Sequence, residues 1–383
     1  MSNTLTNLIP DIYAALDVVS RELVGFIPTV GRDPSADRVA LNSTVRIPQA
    51  PANAAAGNIT PAMSFPSASD QNFGNKTFTI SKSRFAPFSW TGAEQKSVNQ
   101  GPGFLTLKQD QIAQAIRTLI NEMESDIAAA AYVGASRAYG TAGTTPFAST
   151  LADPANVKKI LDDNGAPQSD RHLTINTTAG AALRTLAQLT KANEANDDSL
   201  LRRGTLLDIH NFGIRESAQV KAHTKGTGAG YLVDLLAGYA VGDVTIHVDT
   251  GTGTILAGDV VTFAGDTNKY VVATGFAGDG DGDIVLAAPG LRQTLADGVA
   301  MTIGNNYNAN LGYTRNSILL GTRLPDLPEE EDMASDRMTI IDPVTGIAFE
   351  FAIYPGYRMN VYHVSINWGV AVIKPEHIAL LLG

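Results

Sequence analysis

Between Gly226 and Gly312 the chain changes character, and that change limits what the whole can fold into. The stretch holds 17 of the 36 glycines in the protein. It has nine Asp, no Glu, and only Lys269 and Arg292 as cations, a formal charge of −7. Its apolar residues come in short β-branched runs: Val244-Thr245-Ile246-His247-Val248, Val260-Val261-Thr262-Phe263, Tyr270-Val271-Val272 and Ile284-Val285-Leu286. Turn sequences such as Ala264-Gly265-Asp266-Thr267-Asn268 and Gly278-Asp279-Gly280-Asp281-Gly282 separate them. Short strands with turn residues between them describe a small all-β module. Helical and mixed patterns lie on both sides, so the reading is one domain inserted into another.

The N-terminal flank begins with a helical pattern over residues 9–27. Pro10 suits a first helical turn and Asp11 the positive end of the helix dipole. Ile12, Leu16, Val19, Leu23 and Phe26 or Ile27 make one apolar stripe, with Asp17, Arg21 and Glu22 on other faces. Pro28 ends the pattern, and such a helix must dock on the body or on another chain. Arg38–Ile47 and Lys76–Trp90 then read as the strands of a long hairpin. The Ala/Pro/Ser/Asn-rich segment between them reads as its tip; a loop of that length means function or disorder.

Thr106-Leu107-Lys108-Gln109 has the spacing of a capping box. Ile112, Ile116, Leu119, Ile120, Met123 and Ile127 follow as one stripe, which predicts a helix to about Val133, roughly 40 Å long. Asp153-Pro154 predicts the cap of a helix carrying Val157, Ile160 and Leu161 and stopped by Gly165. Leu173–Ile175 and Leu206–Ile209 read as strands, and Thr178–Lys191 as a helix between them. After the glycine-rich stretch, Met338–Ile341 and Ile347–Ile353 flank the turn Asp342-Pro343-Val344-Thr345-Gly346. Alternation over Ile347–Ile353 predicts one buried face, and Arg358–Ile373 reads as a further strand. Leu327–Asp336, with Glu329, Glu330, Glu331 and Asp332, reads as a solvated acidic loop.

Charged residues make up only 17% of the chain, against about 25% in ordinary soluble domains. Much of the surface is therefore expected to meet other protein. A net charge of −10 argues against non-specific nucleic-acid binding and against anionic membranes, and no sequence-specific nucleic-acid binding and no membrane partner are expected. With no cysteine, disulfides, thiolate nucleophiles and cysteine-based metal sites are excluded. No signal-peptide pattern opens the sequence, and no run approaches the ~20 apolar residues of a membrane span.

Catalytic chemistry is not apparent. His172, His210, His223, His247, His363 and His377 lack metal-ligand spacing, and no phosphate-binding loop is present. Gly226-Thr227-Gly228-Ala229-Gly230 lacks dinucleotide spacing and reads as a linker. Asp279-Gly280-Asp281-Gly282-Asp283 resembles the start of a calcium loop, but Ile284 stands where a Gly is needed and Gly290 where a bidentate Glu is needed. It reads as a hairpin tip, weak binding of a divalent cation there being the lesser alternative. No catalytic residue, cofactor or metal site is expected.

The order of these segments resembles the major capsid proteins of tailed phages with the HK97-like fold, and in particular the short-tailed-phage coat proteins with an inserted β-domain. Asn42-Ser43-Thr44-Val45-Arg46-Ile47-Pro48 resembles the start of that family's extended loop. Ala257-Gly258-Asp259-Val260-Val261-Thr262-Phe263-Ala264-Gly265 resembles the Gly-Asp-x-x-x-Phe-Ala-Gly run of its inserted domain. Trp368-Gly369-Val370 with Lys374-Pro375-Glu376 resembles its close. The resemblance implies an α+β capsid fold: an N-terminal arm over residues 1–36, an extended β-hairpin loop over 37–100 and a spine helix of the peripheral domain over 101–145. A central domain follows over 146–225, then the inserted β-domain over 226–312, then the returning strands over 313–383.

It also implies self-assembly, as hexamers and pentamers, into an icosahedral shell around double-stranded DNA. Such a shell is built in the host cytoplasm with a scaffolding protein and a portal protein and ends as the virion capsid. Asp11, Asp17 and Glu22 are the candidate contacts for a basic scaffolding segment, a merely solvated helix face being the alternative. Two other readings remain open: an encapsulin-like compartment shell with the same fold, and a β-rich carbohydrate-binding or adhesin module.

Overall fold

The computed structural model describes residues 22–49, 61, 73–98, 104–186, 189, 208–330 and 332–383. The expected arm helix therefore lies outside the described residues up to position 21. Its last part is corrected: 22–25 are not helical, and Phe26 and Ile27, both fully buried, start a turn. The strands β1 (Gly31–Val39), β2 (Thr44–Gln49), β3 (Gly74–Thr79) and β4 (Lys82–Thr91) follow.

The expected hairpin is divided into two parts. β2 and β3 do pair, from Thr44 opposite Thr79 to Gln49 opposite Gly74. The inner strands separate instead of continuing the ladder. The break comes where Asn42 takes a left-handed turn conformation, φ 67°, and where Phe78 and Ile80 are drawn fully into the interior. Pairing stops being the best use of the chain once a core is within reach.

After the short α1 (Gly92–Val98), the spine helix α2 runs from Phe104 to Val133. It starts before the predicted box, so Thr106 lies inside the helix rather than at its cap. Leu119, Ile120, Met123, Ile127 and Ala131 form its buried stripe. β5 (Arg137–Tyr139) leads to α3 (Ala152–Asp163), β6 (Arg171–Ile175) and α4 (Thr177–Thr185). Asp153 sits in the first turn of α3 and accepts the amide of Phe147 at 2.7 Å rather than capping the helix. Gly165, at φ 73°, ends that helix as expected. Asn176 caps α4 by accepting the amide of Ala179; α4 ends at Thr185, where Leu186 is extended, Leu189 is again helical, and the expected end at Lys191 lies outside the described residues.

Next come β7 (Asp208–Ile209), β8 (Phe212–Glu216), β9 (Ala222–His223), β10 (Leu232–Val233), β11 (Thr245–Gly251), β12 (Val260–Phe263), β13 (Lys269–Thr274), β14 (Gly280–Leu286) and β15 (Met301–Ile303). The chain closes with β16 (Tyr307–Thr314), β17 (Ile318–Pro325), β18 (Asp336–Ile341), β19 (Ala348–Gly356), β20 (Met359–Val372) and β21 (Ile378–Leu382). One six-stranded sheet has the order β1-β17-β20-β19-β18, with β4 on the other side of β20. A 13-stranded sheet runs β10-β11-β14-β13-β5-β21-β16-β6-β8-β7, with β12, β15 and β9 attached.

Period-two alternation decides which core each strand side feeds. Val260 and Val271 face the main cluster around the spine helix, while Val261, Tyr270 and Val272 face a separate cluster with Ile246, Phe263, Ile284 and Leu295. Glycines 226–230 are not a loose tether: the Ala229 and Thr252 backbones pair, and a side chain at Gly226 would collide with the Thr254 carbonyl. Gly280–Asp283 lies in β14 rather than at a hairpin tip, paired with β11. Alternation at β19 is corrected too. Glu350 and Ala352 are as buried as Phe349 and Phe351, because Arg38 and Arg337 cover the carboxylate side.

Candidate functional site

Two features of the described structure are candidate sites: the chain from Glu22 to Ile27 at the root of the expected arm, and the β2–β3 ribbon. At the arm root, Glu22 is bound by the spine helix. Arg117 Nε donates to its carboxylate at 2.7 Å and Asn121 Nδ2 at 2.6 Å. These hydrogen bonds, Arg117 first, hold the Glu22 carboxyl down to about 2.

One turn further along α2, the fully buried Glu124 takes three consecutive backbone amides. Oε1 accepts from Gly25 at 2.5 Å and Phe26 at 2.7 Å, and Oε2 from Ile27 at 2.9 Å. Ser217 Oγ adds a fourth bond at 2.9 Å. Burial pushes the carboxyl up, and these four donors oppose it. Gly25 has no alternative here, since a Cβ would run into the Glu216 carbonyl. Beyond it, the Tyr313 hydroxyl is shared between Thr29 Oγ1 at 2.6 Å and Thr174 Oγ1 at 2.9 Å, and the Phe26 ring stacks on Tyr313.

Of the sequence-predicted contact residues, Asp11 and Asp17 lie outside the described residues. Glu22 is described and is already committed to Arg117 and Asn121. Glu124 was not singled out by sequence. Glu122, Glu124 and Asp126 crowd the same turn of the sequence, and nothing local sets Glu124 apart from the other two.

The ribbon has a different character. Thr44, Val45, Arg46, Gly74, Asn75 and Thr77 are exposed, and Phe73 at its outer end is 72% exposed. Only its inner end is anchored, by Phe78 and Ile80. The edge strand β18 shows the same openness, with Met338 and Ile341 more than half exposed and Val344 beyond it.

His172, His223, His247, His363 and His377 serve packing or ion pairing, while His210 is exposed in the turn between β7 and β8. His223 Nε2 lies 2.8 Å from the buried Asp259, which also accepts the amides of Gly226 and Leu256. Tyr132 and Tyr307 close over that pair. His363 packs on Phe85 at 4.8 Å, and burial lowers its pKa. Burial also lowers His172 and His377. His247 sits among carboxylates in the glycine-rich stretch, which is treated below.

The mixed α+β fold, with its long helix α2 and the strands that return to it, is similar to the HK97-like fold of solved phage capsid structures. The chain is similar to the capsid of the cyanophage P-SCSP1u, with 11% identity and a TM-score of 0.53, covering 100% of this chain and 95% of that one. It is also similar to the capsid of a native GTA particle, with 9% identity and a TM-score of 0.50, covering 97% and 94%. No protein-family model and no curated protein matches it.

Proposed function

We propose that this chain is the major capsid protein of a tailed phage, a non-enzymatic subunit that self-assembles into the icosahedral shell around a double-stranded DNA genome. The observation that carries the reading, beyond the fold, is the β2–β3 ribbon. An isolated two-stranded ribbon is at best marginally stable in water, and this one has no core along most of its length. Neighbouring subunits of a shell supply the cover. The exposed apolar edge at Met338 and Ile341 calls for the same remedy, because an open edge otherwise invites uncontrolled pairing.

In this reading residues 1–36 are the arm, 37–100 the extended loop and 101–145 the spine segment. The central domain is 146–225, and 313–383 returns to it and supplies strands of the peripheral domain. Residues 226–312 form an inserted β-domain, supported by the separate apolar cluster around Ile246, Phe263 and Ile284. Hexamers and pentamers form with a scaffolding and a portal protein in the host cytoplasm, and the product is the virion capsid. Asp11 and Asp17 are the proposed arm contacts for a basic scaffolding segment. Glu22 joins them only if it exchanges Arg117 for that partner.

Electron microscopy of the over-expressed protein, alone and with its scaffolding protein, tests the proposal. Closed shells are expected. A protein that stays monomeric under both conditions would overturn it.

A further inference from the structure

We propose that His247 is a proton-operated staple, whose imidazolium ties β11 to the first residues of β14 and whose deprotonation frees them. The ring is bracketed from both ends. Nδ1 lies 2.6 Å from Asp283 Oδ1, and Nε2 lies 2.5 Å from Asp281 Oδ1. A neutral imidazole has one N–H, so it can satisfy one carboxylate and must turn a lone pair toward the other. Only the doubly protonated ring satisfies both. His247 and Asp283 are cross-strand partners, and Asp281, two residues earlier, falls on the same strand face.

The surrounding charges act in one direction. Asp234, after β10, stands 4.0 Å from Nε2. Asp249 shares the His247 side of β11, Asp279 holds the Gly253 amide and Asp297 the Leu235 amide. From the 235–243 turn, the Tyr239 hydroxyl accepts the His247 backbone amide at 2.8 Å. The two cations of residues 226–312 are used elsewhere: Lys269 donates to the Gly140 carbonyl and Arg292 to the Asp163 carbonyl. His247 is thus the positive charge available to this acidic end. The hydrogen bond that the ring donates to Asp283 and the fields of Asp281, Asp283 and Asp234 raise its pKa above the usual imidazole value against slight desolvation.

The same geometry argues against a metal. The two carboxylates approach opposite nitrogens of the ring, so no single ion could take them together with one nitrogen, and no metal-holding group occurs among the described residues. The sign of the proton effect follows from the raised pKa. The staple is fully engaged below about pH 6.5 and is lost as pH climbs through the higher folded-state value. Above it, Asp281 and Asp283 face each other and Asp234 without a cation, and the start of β14 is held by backbone pairing alone.

Magic-angle-spinning NMR of the full-length protein, labelled with 15N-histidine and assigned with His247→Gln, reads the staple directly in free or assembled subunits. Both His247 ring nitrogens are expected to stay protonated up to a midpoint above 6.5. Asp283→Asn, and separately the exposed Asp281→Asn, should lower that midpoint by roughly half a unit or more. Amide exchange at His247, Val248 and Asp283, corrected for its intrinsic pH dependence, should accelerate past the midpoint in the wild type and show no such step in His247→Gln. A midpoint at or below 6.5, a single ring N–H throughout, or a midpoint unmoved by both Asn variants would overturn the proposal.

Discussion

The Phe78 ring lies in the space that a side chain at Gly321 would need: a Cβ there would overlap the ring edge. Gly321 pairs directly with Gly369 across β17 and β20, and Gly369 is in turn overrun by the Thr79 carbonyl. Two facing glycines thus open a slot in the sheet that seats the inner end of the ribbon. Gly321→Ala should evict Phe78 and cost about 1–3 kcal/mol, the usual penalty for overpacking a filled site. Limited proteolysis should then cut near Thr77–Ser81 well before the rest of the subunit. Unchanged cleavage in that variant would show that the slot does not hold the ribbon.

Glu124 makes a second anchor, and its protonation chemistry separates two variants. Burial raises the carboxyl pKa. A raised pKa means the native state binds that proton more tightly, so the stabilisation it brings is present below about pH 4.3 and lost as pH rises through the folded value. At neutral pH the buried anion therefore carries a cost that Glu124→Gln removes; the Gln oxygen can keep the Gly25 and Phe26 amides, and the gain offsets the loss at Ile27, where its NH2 would meet an N–H. Glu124→Ala orphans three amides and should cost roughly 2–4 kcal/mol. The expected order of stability is wild type close to Gln, with Ala well below. Hydrogen exchange at Gly25, Phe26 and Ile27 should rise most in Ala; equal protection in all three would refute the clamp.

Glu22 titrates in the opposite sense. Its carboxyl is held down to about 2 by Arg117 and Asn121. A lowered pKa contributes stability above the unfolded value, lost only as pH falls through about 2. Both side chains are 27% exposed, so solvent screening keeps the pair's contribution to stability small. Arg117→Gln should return the Glu22 carboxyl toward its ordinary range, and 13C NMR of the carboxyl measures that directly. A titration that stays near 2 in Arg117→Gln would assign the shift to other groups.

Which of these features the sequence could show depends on how far apart the partners lie. The stripe from Ile116 to Ile127 and the strand runs of residues 244–286 are local patterns, and each appears as an element in the structure. Glu124 is different. A carboxylate beside Met123 has no distinguishing mark until residues nearly a hundred positions earlier come down onto it. Glu350 likewise breaks the alternation of β19 only because Arg38 and Arg337 arrive from elsewhere. The division of the hairpin at Asn42 follows from the slot made by Gly321 and Gly369, which no local period records. His247 and its two carboxylates share that limitation: the Asp pattern was visible, but the register that sets Asp283 opposite His247 was not.

The ribbon gives the sharpest test of the assembly proposal. Asn42 and Ser43 already exchange backbone hydrogen bonds with Ile80, so the chain can be closed there. Replacing residues 45–77 by a short Gly/Ser turn keeps Phe78 and Ile80 in their buried sites and removes the exposed strands of the ribbon. The shortened subunit should keep its circular dichroism and its melting temperature to within a few degrees, since little buried apolar area is lost. Assembly into shells should fail, because the cover that neighbours exchange through the ribbon is gone. Analytical ultracentrifugation separates the outcomes: folded, soluble subunits without shells are expected. Normal shell formation by the shortened chain would mean that the ribbon is not an assembly element.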